Sequence, residues 1–380
     1  MARKRANGEG SWTERDNGTW KLSVSYKGIG RKYFYGTKQE CLDKKRQYEV
    51  MLSSSITPSK DALFKDFAYS WLHNVKQHTL RQSTFDRLER ELELHIIPNL
   101  GDLSIQQIDD YIIQTHVINK MKSDGYSFST VKAEYCTLKQ IFKYAIARGK
   151  ITKNPLDDIE LPSKALFAPT RKRKFLSGED RQALITTCYS KYKNGRRVYK
   201  YGAFFVFLLY TGLRLGEASA LKWKYIDFEK RTVEVSHTVV YVRNRKTGKG
   251  KILVDQPFTK NGKSRTVYLS DAALEALEDL KEQMGYDPDG YIIHGPKGTI
   301  MHQSDIQAIF QLILKKAGIE KCGIHALRHS FVSLMINNGV PVPMISAMVG
   351  HSSIGITMNV YSHLLKETEV KSMEIIKELR

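Results

Sequence analysis

Four short segments in the second half of the chain combine arginine, histidine and tyrosine at spacings that suit chemistry on an anion. They are residues 211–217 (TGLRLGE), 325–329 (HALRH), 350–354 (GHSSI) and 361–363 (YSH). An arginine offers a fork of N–H donors that matches an oxyanion, and a histidine offers a nitrogen that titrates near neutral pH. A tyrosine hydroxyl can act as a covalent nucleophile. Together the segments predict a site that binds an anion and attacks it.

Each residue of this set also has an ordinary structural explanation. Arg214 could be a surface arginine that caps a helix, with Glu217 supporting it three residues later. His325 and Arg328 are spaced to share one helix face, yet a single histidine is more often a hydrogen-bonded core residue. Tyr361 could fill an apolar core, with its hydroxyl on a nearby acceptor. Taken singly, each residue leaves these alternatives open.

The composition favours a multidomain protein with a polyanionic partner. The chain has 380 residues, 41% of them hydrophobic, and 60 Lys and Arg against 40 Asp and Glu, for a net charge of +20. This length predicts about two or three domains, and the charge indicates a partner that is nucleic acid or an anionic membrane. No apolar stretch approaches the ~20 residues of a membrane span, and the N-terminus does not resemble a secretory signal. The four cysteines lack metal-ligand spacing, which favours a reducing cytoplasm.

Residues 1–55 are predicted to form a small three-stranded β-meander followed by a helix. Hydrophobic and polar residues alternate along residues 19–27, which indicates a strand with one buried face. Turns with glycine flank this strand, and a helix is predicted over about residues 38–52. The exposed, basic side of this module could lie in a DNA major groove or simply be solvated. Its candidate DNA-contacting residues are Lys21, Arg31 and Lys32.

An all-α domain is predicted over residues 60–160. Apolar residues recur at helical spacing over residues 64–75, which indicates an amphipathic helix. The next helix should close before Pro98, because proline has no backbone N–H to donate. Two more helices are expected at about residues 108–123 and 131–145. Helical bundles serve many functions, so this domain by itself indicates none.

Residues 161–174 are a predicted basic linker, and residues 175–380 a mixed α/β, mainly helical domain. The linker holds two prolines and five Lys or Arg residues without an acidic one. Ser177, with an acidic residue three positions later, resembles a helix N-cap. Residues 231–242, 251–254 and 265–269 are rich in β-formers, and Asn261-Gly262 is a strong hairpin-turn signal.

The four segments, in their order and spacing, resemble the tyrosine recombinase, or phage-type integrase, family. The matching stretches are 211–217 (TGLRLGE), 325–331 (HALRHSF), 350–357 (GHSSIGIT) and 360–363 (VYSH). The layout is also similar to that of integrases of phages and conjugative transposons, with an arm-site-binding β domain, a helical core-site-binding domain and a catalytic domain. The resemblance implies a site-specific DNA recombinase of a mobile element. Such an enzyme cleaves and rejoins strands through a 3′-phosphotyrosyl intermediate and a Holliday junction.

The resemblance also implies a role for each site residue. Tyr361 would attack the scissile phosphorus in line, and Arg214 and Arg328 would hold the non-bridging oxygens. His325 would take or share the tyrosine proton, and His351 would donate to a non-bridging oxygen. The phosphotyrosyl bond conserves the bond energy and the arginines neutralise the charge, so no ATP, metal or other cofactor is expected.

In this family a lysine in a β-hairpin between the two arginines protonates the leaving 5′-oxygen. Residues 258–265 (FTKNGKSR) match that place, with Lys260 before the predicted turn and Lys263 after it. We favour Lys260 as the general acid and keep Lys263 as the alternative. Glu217 would orient or support the region around Arg214.

Other basic stretches fit DNA contacts, most of them to the phosphate backbone. Residues 191–201 and 243–251 are rich in Lys and Arg and contain no acidic residue. Each could equally be an exposed, solvated loop. Beyond the N-terminal module, the candidate contacts are Arg171, Lys172, Arg173 and Lys174 in the linker and Arg196, Arg197, Arg243 and Arg245 in the loops.

The implied partners are double-stranded DNA and further copies of the chain. The resemblance implies a homotetramer on two DNA sites, in which the C-terminal tail, residues 367–380, packs on a neighbouring subunit. Folding of the tail onto its own domain is the alternative. An accessory DNA-bending or excision protein could take part, and no membrane partner is expected. The expected location is the cytoplasm, at the nucleoid, with a bacterial or phage origin.

Two other functions are compatible with the same fold. A DNA-binding regulator without cleavage would bind and bend DNA but form no covalent adduct. The complete set of arginines, histidines and tyrosine argues against it, since an idle site has no physical need for all of them. A type IB topoisomerase-like enzyme would use the same chemistry to relax supercoils as a monomer.

Overall fold

The computed structural model of the chain describes residues 10–15, 18–26, 30–53, 63–168, 175–257, 264–351, 353–355 and 358. The chain divides into two compact units, Met1–Pro169 and Thr170–Arg380. Each unit has its own buried apolar clusters. Within the described residues, no helix is both long and apolar enough to cross a bilayer.

The first unit begins with a three-stranded antiparallel sheet packed on one helix. Leu22, Val24 and Phe34 project from one face of the sheet and are buried with Cys41 of the helix. The alternation in the sequence therefore produced the predicted one-sided strand. The elements are β1 (Ser11–Glu14), β2 (Trp20–Tyr26), β3 (Gly30–Gly36) and α1 (Lys38–Ser53), with strand order β1-β2-β3.

The rest of the first unit is all-α, as predicted. One face of each long helix contributes to an apolar core, whose buried residues include Phe64, Trp71, Leu88 and Phe142. The helices are α2 (Phe64–Trp71), α3 (Gln82–Glu91), α4 (Ile97–Leu100), α5 (Asp110–Ile113), α6 (Lys120–Ser123) and α7 (Phe128–Ala147). Wide π-helical turns follow three of them, at Leu72–Lys76, Leu92–Ile96 and Gln114–Asn119.

The prediction that a helix closes before Pro98 is wrong. The π-helical turn Leu92–Ile96 carries the chain directly into α4, where Pro98 is the second residue. The first turn of a helix needs no N–H donor, so proline is tolerated there. Pro98 therefore marks a change from a π-helical turn to an α-helix, and the backbone stays helical on both sides of this change.

The second unit is mixed α/β and mainly helical, as predicted. Ser177 caps its first helix, and the Ser177 and Asp180 side chains bond each other's backbone N–H in a capping box. The helices are α8 (Gly178–Cys188), α9 (Gly202–Thr211), α10 (Leu215–Ser219), α11 (Asp271–Met284), α12 (Gln303–Lys316), α13 (His325–Asn337) and α14 (Val342–Val349). The strands are β4 (Ile226–Asp227), β5 (Thr232–Val235), β6 (Thr238–Arg243), β7 (Lys251–Gln256) and β8 (Arg265–Tyr268).

These five strands form two separate sheets, with orders β4-β5-β8 and β6-β7. The β6 and β7 strands are a hairpin, with Thr238 opposite Gln256 and Arg243 opposite Lys251. The predicted turn at Asn261-Gly262 lies outside the described residues. The strands on either side of it, β7 and β8, belong to different sheets.

One buried carboxyl group of the first unit stands out. Glu134 of α7 is fully buried, and neither of its side-chain oxygens has a hydrogen-bond partner among the described residues. Burial, together with the negative charge of nearby Glu91, raises the pKa of Glu134 to about 8. Glu91 itself pairs with Arg87 and accepts a hydrogen bond from Thr137. Glu134 is therefore mostly protonated at neutral pH in the folded chain.

We predict that Glu134→Gln stabilises the protein at alkaline pH. The folded state binds a proton at Glu134 that the unfolded state loses near pH 4.5. Stability therefore falls as pH rises from about 4.5 to about 8. Glutamine removes this dependence, so the melting temperature should exceed that of the parent by several degrees at pH 8 and by little at pH 4.5. Glu160→Gln, at an exposed position of the same unit, should show no such pH dependence; a pH-independent difference for Glu134→Gln would contradict the prediction.

Candidate active site

The buried helix α9 determines where Arg214 lies. Its sequence, GAFFVFLLYT, is apolar on all sides, and every residue except Tyr210 is buried. Gly212 ends the helix with a φ of +64°, and a Cβ at this position would lie 2.4 Å from the Phe331 ring. Only glycine fits there. After this turn Arg214 occupies the N-cap position of α10.

Glu217 of α10 holds two arginines. It is 3% exposed, and its Oε1 accepts from Arg214 Nη1 at 2.8 Å and from Arg265 Nη1 at 3.2 Å. Its Oε2 accepts from Arg265 Nη2 at 2.7 Å and from the Arg214 backbone N–H at 3.1 Å. Burial alone would raise the pKa of the Glu217 carboxyl, but Arg265 and Arg214 hold it below its usual value. Glu217 is thus an ionised carboxylate between two guanidinium groups.

The same two arginines hold the backbone that leads to His351. Arg265 Nε donates to the Met348 carbonyl at 2.9 Å, and Arg214 Nη2 donates to the Gly350 carbonyl at 2.9 Å. Gly350 has a φ of +67°, and a Cβ there would lie 3.0 Å from Arg265 Nη1. The close approach of the guanidinium and the left-handed backbone both require glycine. The network therefore fixes the point from which His351 follows α14.

Arg265 is the residue of this cluster that the sequence analysis missed. It lies in β8, 48 positions after Glu217 and 83 before Met348. Its only sequence signal is that it is the last residue of segment 258–265, in which a lysine was expected. An arginine at the start of a strand is too common to be singled out on that ground.

Arg328 and His325 lie together in the first turn of α13. Arg328 is 2% exposed, and its Nη1 donates to the Gly212 carbonyl at 2.9 Å. His325 is exposed, and its ring packs edge-on against His329 with 4.9 Å between centroids. This exposure excludes the core-histidine explanation of His325.

His351 is partly buried where these charges converge. Burial, and then the positive charges of Arg328 and Arg214, lower the pKa of His351 to about 4, with smaller contributions from His325 and Arg265. His351 is therefore neutral at pH 7 and can donate one N–H hydrogen bond without carrying charge. Two arginine forks and a neutral imidazole suit the oxygens of a single anion.

The structure thus brings together five of the site residues predicted from the sequence, which are Arg214, Glu217, His325, Arg328 and His351. The predicted nucleophile Tyr361 and both candidate lysines, Lys260 and Lys263, lie outside the described residues. The same is true of the C-terminal tail, residues 367–380, and of the candidate DNA contacts in the linker, which are Arg171, Lys172, Arg173 and Lys174. Within the described part of the chain, no group of three or more His, Cys, Asp or Glu side chains could hold a metal ion.

The open face of the N-terminal sheet places cations over aromatic rings. Lys21 and Arg31 share this face with Tyr33 and Tyr35, since side chains alternate along each strand. Lys21 Nζ lies 4.2 Å from the centre of the Tyr33 ring, and the Arg15 guanidinium lies 5.4 Å from that of Tyr35. Both tyrosines are more than two-fifths exposed, at 43% and 44%. The face is basic and rich in planar groups.

Lys32 does not share this face. It follows Arg31 directly, so it projects to the helix-covered side beside Phe34, with its ammonium 5.5 Å from the centre of the Tyr48 ring. The sequence analysis grouped Lys32 with Lys21 and Arg31, and the structure separates it from them. The two-residue period of a strand contained this information.

The arginines of the two predicted basic loops differ in exposure and in their partners. Arg196 is exposed. Arg197 pairs with Asp279, with its Nε donating to Asp279 Oδ1 at 2.7 Å. Its charge is thus neutralised within the protein, which the sequence could not indicate because Asp279 lies 82 positions away. Arg243 ends β6, and Arg245 is exposed in the loop of the β6–β7 hairpin.

Comparison with known proteins matches both units. Residues 174–368 match the phage integrase family, and residues 63–122 match the phage integrase N-terminal SAM-like domain. The chain is 29% identical over 367 residues to a tyrosine recombinase XerC-like protein of Caldanaerobacter subterraneus subsp. tengcongensis, with 92% of each chain covered.

Solved structures show the same fold. The Tn1549 transposon integrase, solved in complex with transposon right-end DNA, has a TM-score of 0.66 at 25% identity, over 83% of this chain and 100% of that one. The lambda integrase, solved as a tetramer bound to a Holliday junction, has a TM-score of 0.57 at 18% identity, over 94% and 96%.

Fold and sequence together define an enzyme that cleaves and rejoins DNA. The chain belongs to the phage integrase family, the tyrosine recombinases, and is a recombinase of the kind found in mobile elements. The resemblance read from the four segments is confirmed, and so is the fold class.

We predict that His351 makes the protein less stable in acid. The folded state resists protonation of His351 down to a pKa of about 4, while an unfolded histidine takes up a proton near pH 6.5. Stability therefore falls as pH drops from about 6.5 to about 4. His351→Gln should flatten this part of the melting-temperature profile, whereas His78→Gln, at an exposed position, should leave it unchanged. Identical profiles for the parent and His351→Gln would contradict the prediction.

Proposed function

We propose that the cluster around His351 is the strand-cleavage site of this recombinase. The observation that carries this proposal is the convergence of Arg214 and Arg328 on a neutral His351, with exposed His325 beside them. Phosphoryl transfer depends mostly on positioning and charge neutralisation, and this cluster supplies both. The arginines hold the non-bridging oxygens of the scissile phosphate, and His351 donates to one of them.

Tyr361 is the proposed nucleophile. Its phenol oxygen attacks the phosphorus in line, the bond from phosphorus to the 5′-oxygen breaks, and a 3′-phosphotyrosyl bond forms. His325 takes or shares the phenol proton, because a phenol with a pKa of ~10 is a poor nucleophile at neutral pH. Lys260, or alternatively Lys263, gives a proton to the leaving 5′-oxygen. Bonds and protons balance without an external reactant.

The rejoining step reverses cleavage with a new strand. The 5′-hydroxyl of a partner strand attacks the phosphotyrosyl bond and releases Tyr361, so one phosphodiester is exchanged for another without ATP. Two such exchanges, one on each duplex, form a Holliday junction. The arginines supply the positive charge, so the proposed chemistry needs no metal ion or other cofactor.

DNA binding is proposed to involve every part of the chain. The division is an arm-site-binding domain at residues 1–55, a core-site-binding domain at 60–160, a basic linker at 161–174 and a catalytic domain at 175–380. On the N-terminal domain, the open face with Lys21, Arg31 and two exposed tyrosines is the surface that fits a groove.

The remaining basic segments are proposed to contact phosphate and to position the protein without reading sequence. Arg196 and the loop of the β6–β7 hairpin, with Arg243 and Arg245, carry the contacts of the second unit. Residues 171–174 carry those of the linker. Arg197 has a different role in this proposal, since its pair with Asp279 anchors the loop that presents Arg196.

The working assembly is proposed to be a homotetramer on two DNA sites, with residues 367–380 of each subunit packed on a neighbour. The lambda integrase, whose fold this chain shares, was solved as a tetramer on a Holliday junction. An accessory DNA-bending or excision protein is a further proposed partner. The protein would act at the nucleoid, in the cytoplasm of a bacterial host.

We predict that Tyr361→Phe binds DNA with unchanged affinity and forms no covalent adduct. The substrate is a duplex that carries the joined ends of the mobile element and a nick close to the cleavage point. After cleavage the short strand with the 5′-hydroxyl diffuses away, so the strand cannot be rejoined and the protein stays bound to DNA through the phosphotyrosyl bond. Denaturing gels report the adduct. Tyr268→Phe, at a tyrosine 72% exposed in the same unit, should form it like the parent. An adduct with Tyr361→Phe would reject the nucleophile, and no adduct with the parent would favour a binding-only regulator.

We predict that Lys21→Ala and Arg31→Ala weaken DNA binding through lost phosphate contacts. Each substitution should reduce the slope of log affinity against log salt by about 1. Fluorescence anisotropy of the full chain on arm-site duplexes, at several NaCl concentrations, measures the slope. Lys45→Ala, on α1 beside Glu49, is the matched control and should keep the parent slope. Equal slopes for all the variants would place DNA on another surface.

A further inference from the structure

We propose that Arg265 is a positioning residue for cleavage, which neutralises Glu217 so that Arg214 keeps its positive charge for the scissile phosphate. This inference rests on the proposed function of the site. It concerns a residue that touches neither Tyr361 nor the phosphate in that scheme. Arg265 acts through Glu217 and Arg214.

The first argument is the geometry of Arg265 itself. All three nitrogens of its guanidinium donate inside the protein, with Nε on the Met348 carbonyl and Nη1 and Nη2 on the two Glu217 oxygens. Its side chain is 13% exposed, against 23% for Arg214. Arg265 is therefore directed at the carboxylate, while Arg214 keeps the more open position towards solvent and substrate.

The second argument is the charge of Glu217. The Glu217 side chain is 2% exposed, and its carboxylate lies 2.8 Å from Arg214. Without another partner, this carboxylate would cancel most of the electric field of Arg214. Arg265 binds the same carboxylate through both oxygens, at 2.7 and 3.2 Å. The trio then has a net charge of +1, and Glu217 orients Arg214 without removing its charge.

The third argument compares this charge with that of the reaction. A phosphodiester carries one negative charge, and attack by a deprotonated tyrosine oxygen brings the transition state to two. Arg214, Arg265 and Arg328 with Glu217 together contribute a charge of +2, besides the proton-donating lysine and His325 of the proposed scheme. Loss of Arg265 would lower this contribution to +1, which weakens the stabilisation of the doubly charged transition state more than that of the singly charged ground state. Arg265 should therefore matter more for the cleavage rate than for DNA affinity.

A purely structural role is the competing explanation, because Arg265 also holds the end of α14 through Met348. The two roles differ in their dependence on Glu217. If Arg265 matters because it balances the carboxylate charge, removing that charge should compensate for its loss. If it matters because it anchors α14, removing the carboxylate charge should not help.

The test is a double-mutant cycle on Arg265→Met and Glu217→Gln, measured as single-turnover cleavage of the nicked substrate at saturating DNA. Arg265→Met should lower the cleavage rate by roughly 10- to 100-fold, with DNA affinity changed less than threefold. The cleavage rate of the single variant Glu217→Gln is measured as well, because a double-mutant cycle requires both single variants. The double variant should recover most of the rate that Arg265→Met loses, and Arg265→Lys, which keeps the charge, should cleave several-fold faster than Arg265→Met.

Two controls separate folding from function. Melting curves identify variants that unfold at the assay temperature. The double variant also avoids leaving the buried Glu217 carboxylate with Arg214 as its remaining arginine partner, which would destabilise Arg265→Met. Arg181→Met removes another partly buried arginine of the same unit, one that donates to the Leu176 carbonyl, and should cleave like the parent.

The outcomes also separate this inference from the proposed function. If the parent chain forms no adduct, the proposed function itself is rejected. If the parent cleaves and Arg265→Met cleaves equally well, Arg265 has no role in cleavage. If Arg265→Met is impaired and Glu217→Gln gives no recovery, Arg265 is only an anchor of α14, and the inference is overturned.

Discussion

A buried carboxylate shared by two arginines is the interaction on which the site depends. Glu217 lies almost fully out of water, and an isolated charge at such a place would be very costly. Arg214 and Arg265 make it stable, and in return it fixes both guanidinium groups. The same arginines bond the carbonyls of Met348 and Gly350, so the network joins α10, β8 and the end of α14. The positions of Arg214 and His351 are therefore set by one cluster.

Close packing of apolar helices keeps this cluster in place. The helix α9 is buried on all sides, and its end at Gly212 rests against Phe331 of α13. Arg328 of α13 donates to the Gly212 carbonyl, so the turn between α9 and α10 positions Arg328 as well as Arg214. The proposed site for a phosphate thus consists of a few polar groups held at the edge of a tightly packed core. Such positioning by rigid elements is what phosphoryl transfer requires.

Local patterns predicted most of the fold correctly. The alternation along β2, the helical spacing after Phe64 and the N-cap at Ser177 each depend on residues close in sequence, and each appears in the structure. The helix that passes Pro98 was predicted wrongly because a π-helical turn puts proline where no N–H is needed. Lys32 was grouped with Lys21 and Arg31 on composition, although the strand period separates them.

The sequence by itself determined the family, the fold class with its β, all-α and mixed parts, and five of the residues that meet in the cluster, because motif order and local periodicity depend on near neighbours. Only the tertiary structure revealed Arg265 as the second partner of Glu217 and Asp279 as the partner of Arg197, across separations of 48 and 82 residues. It alone also decided that β5 pairs with β8 and β6 with β7. Contacts of this kind arise when distant segments pack together, and no local pattern of residue types encodes which arginine meets which carboxylate.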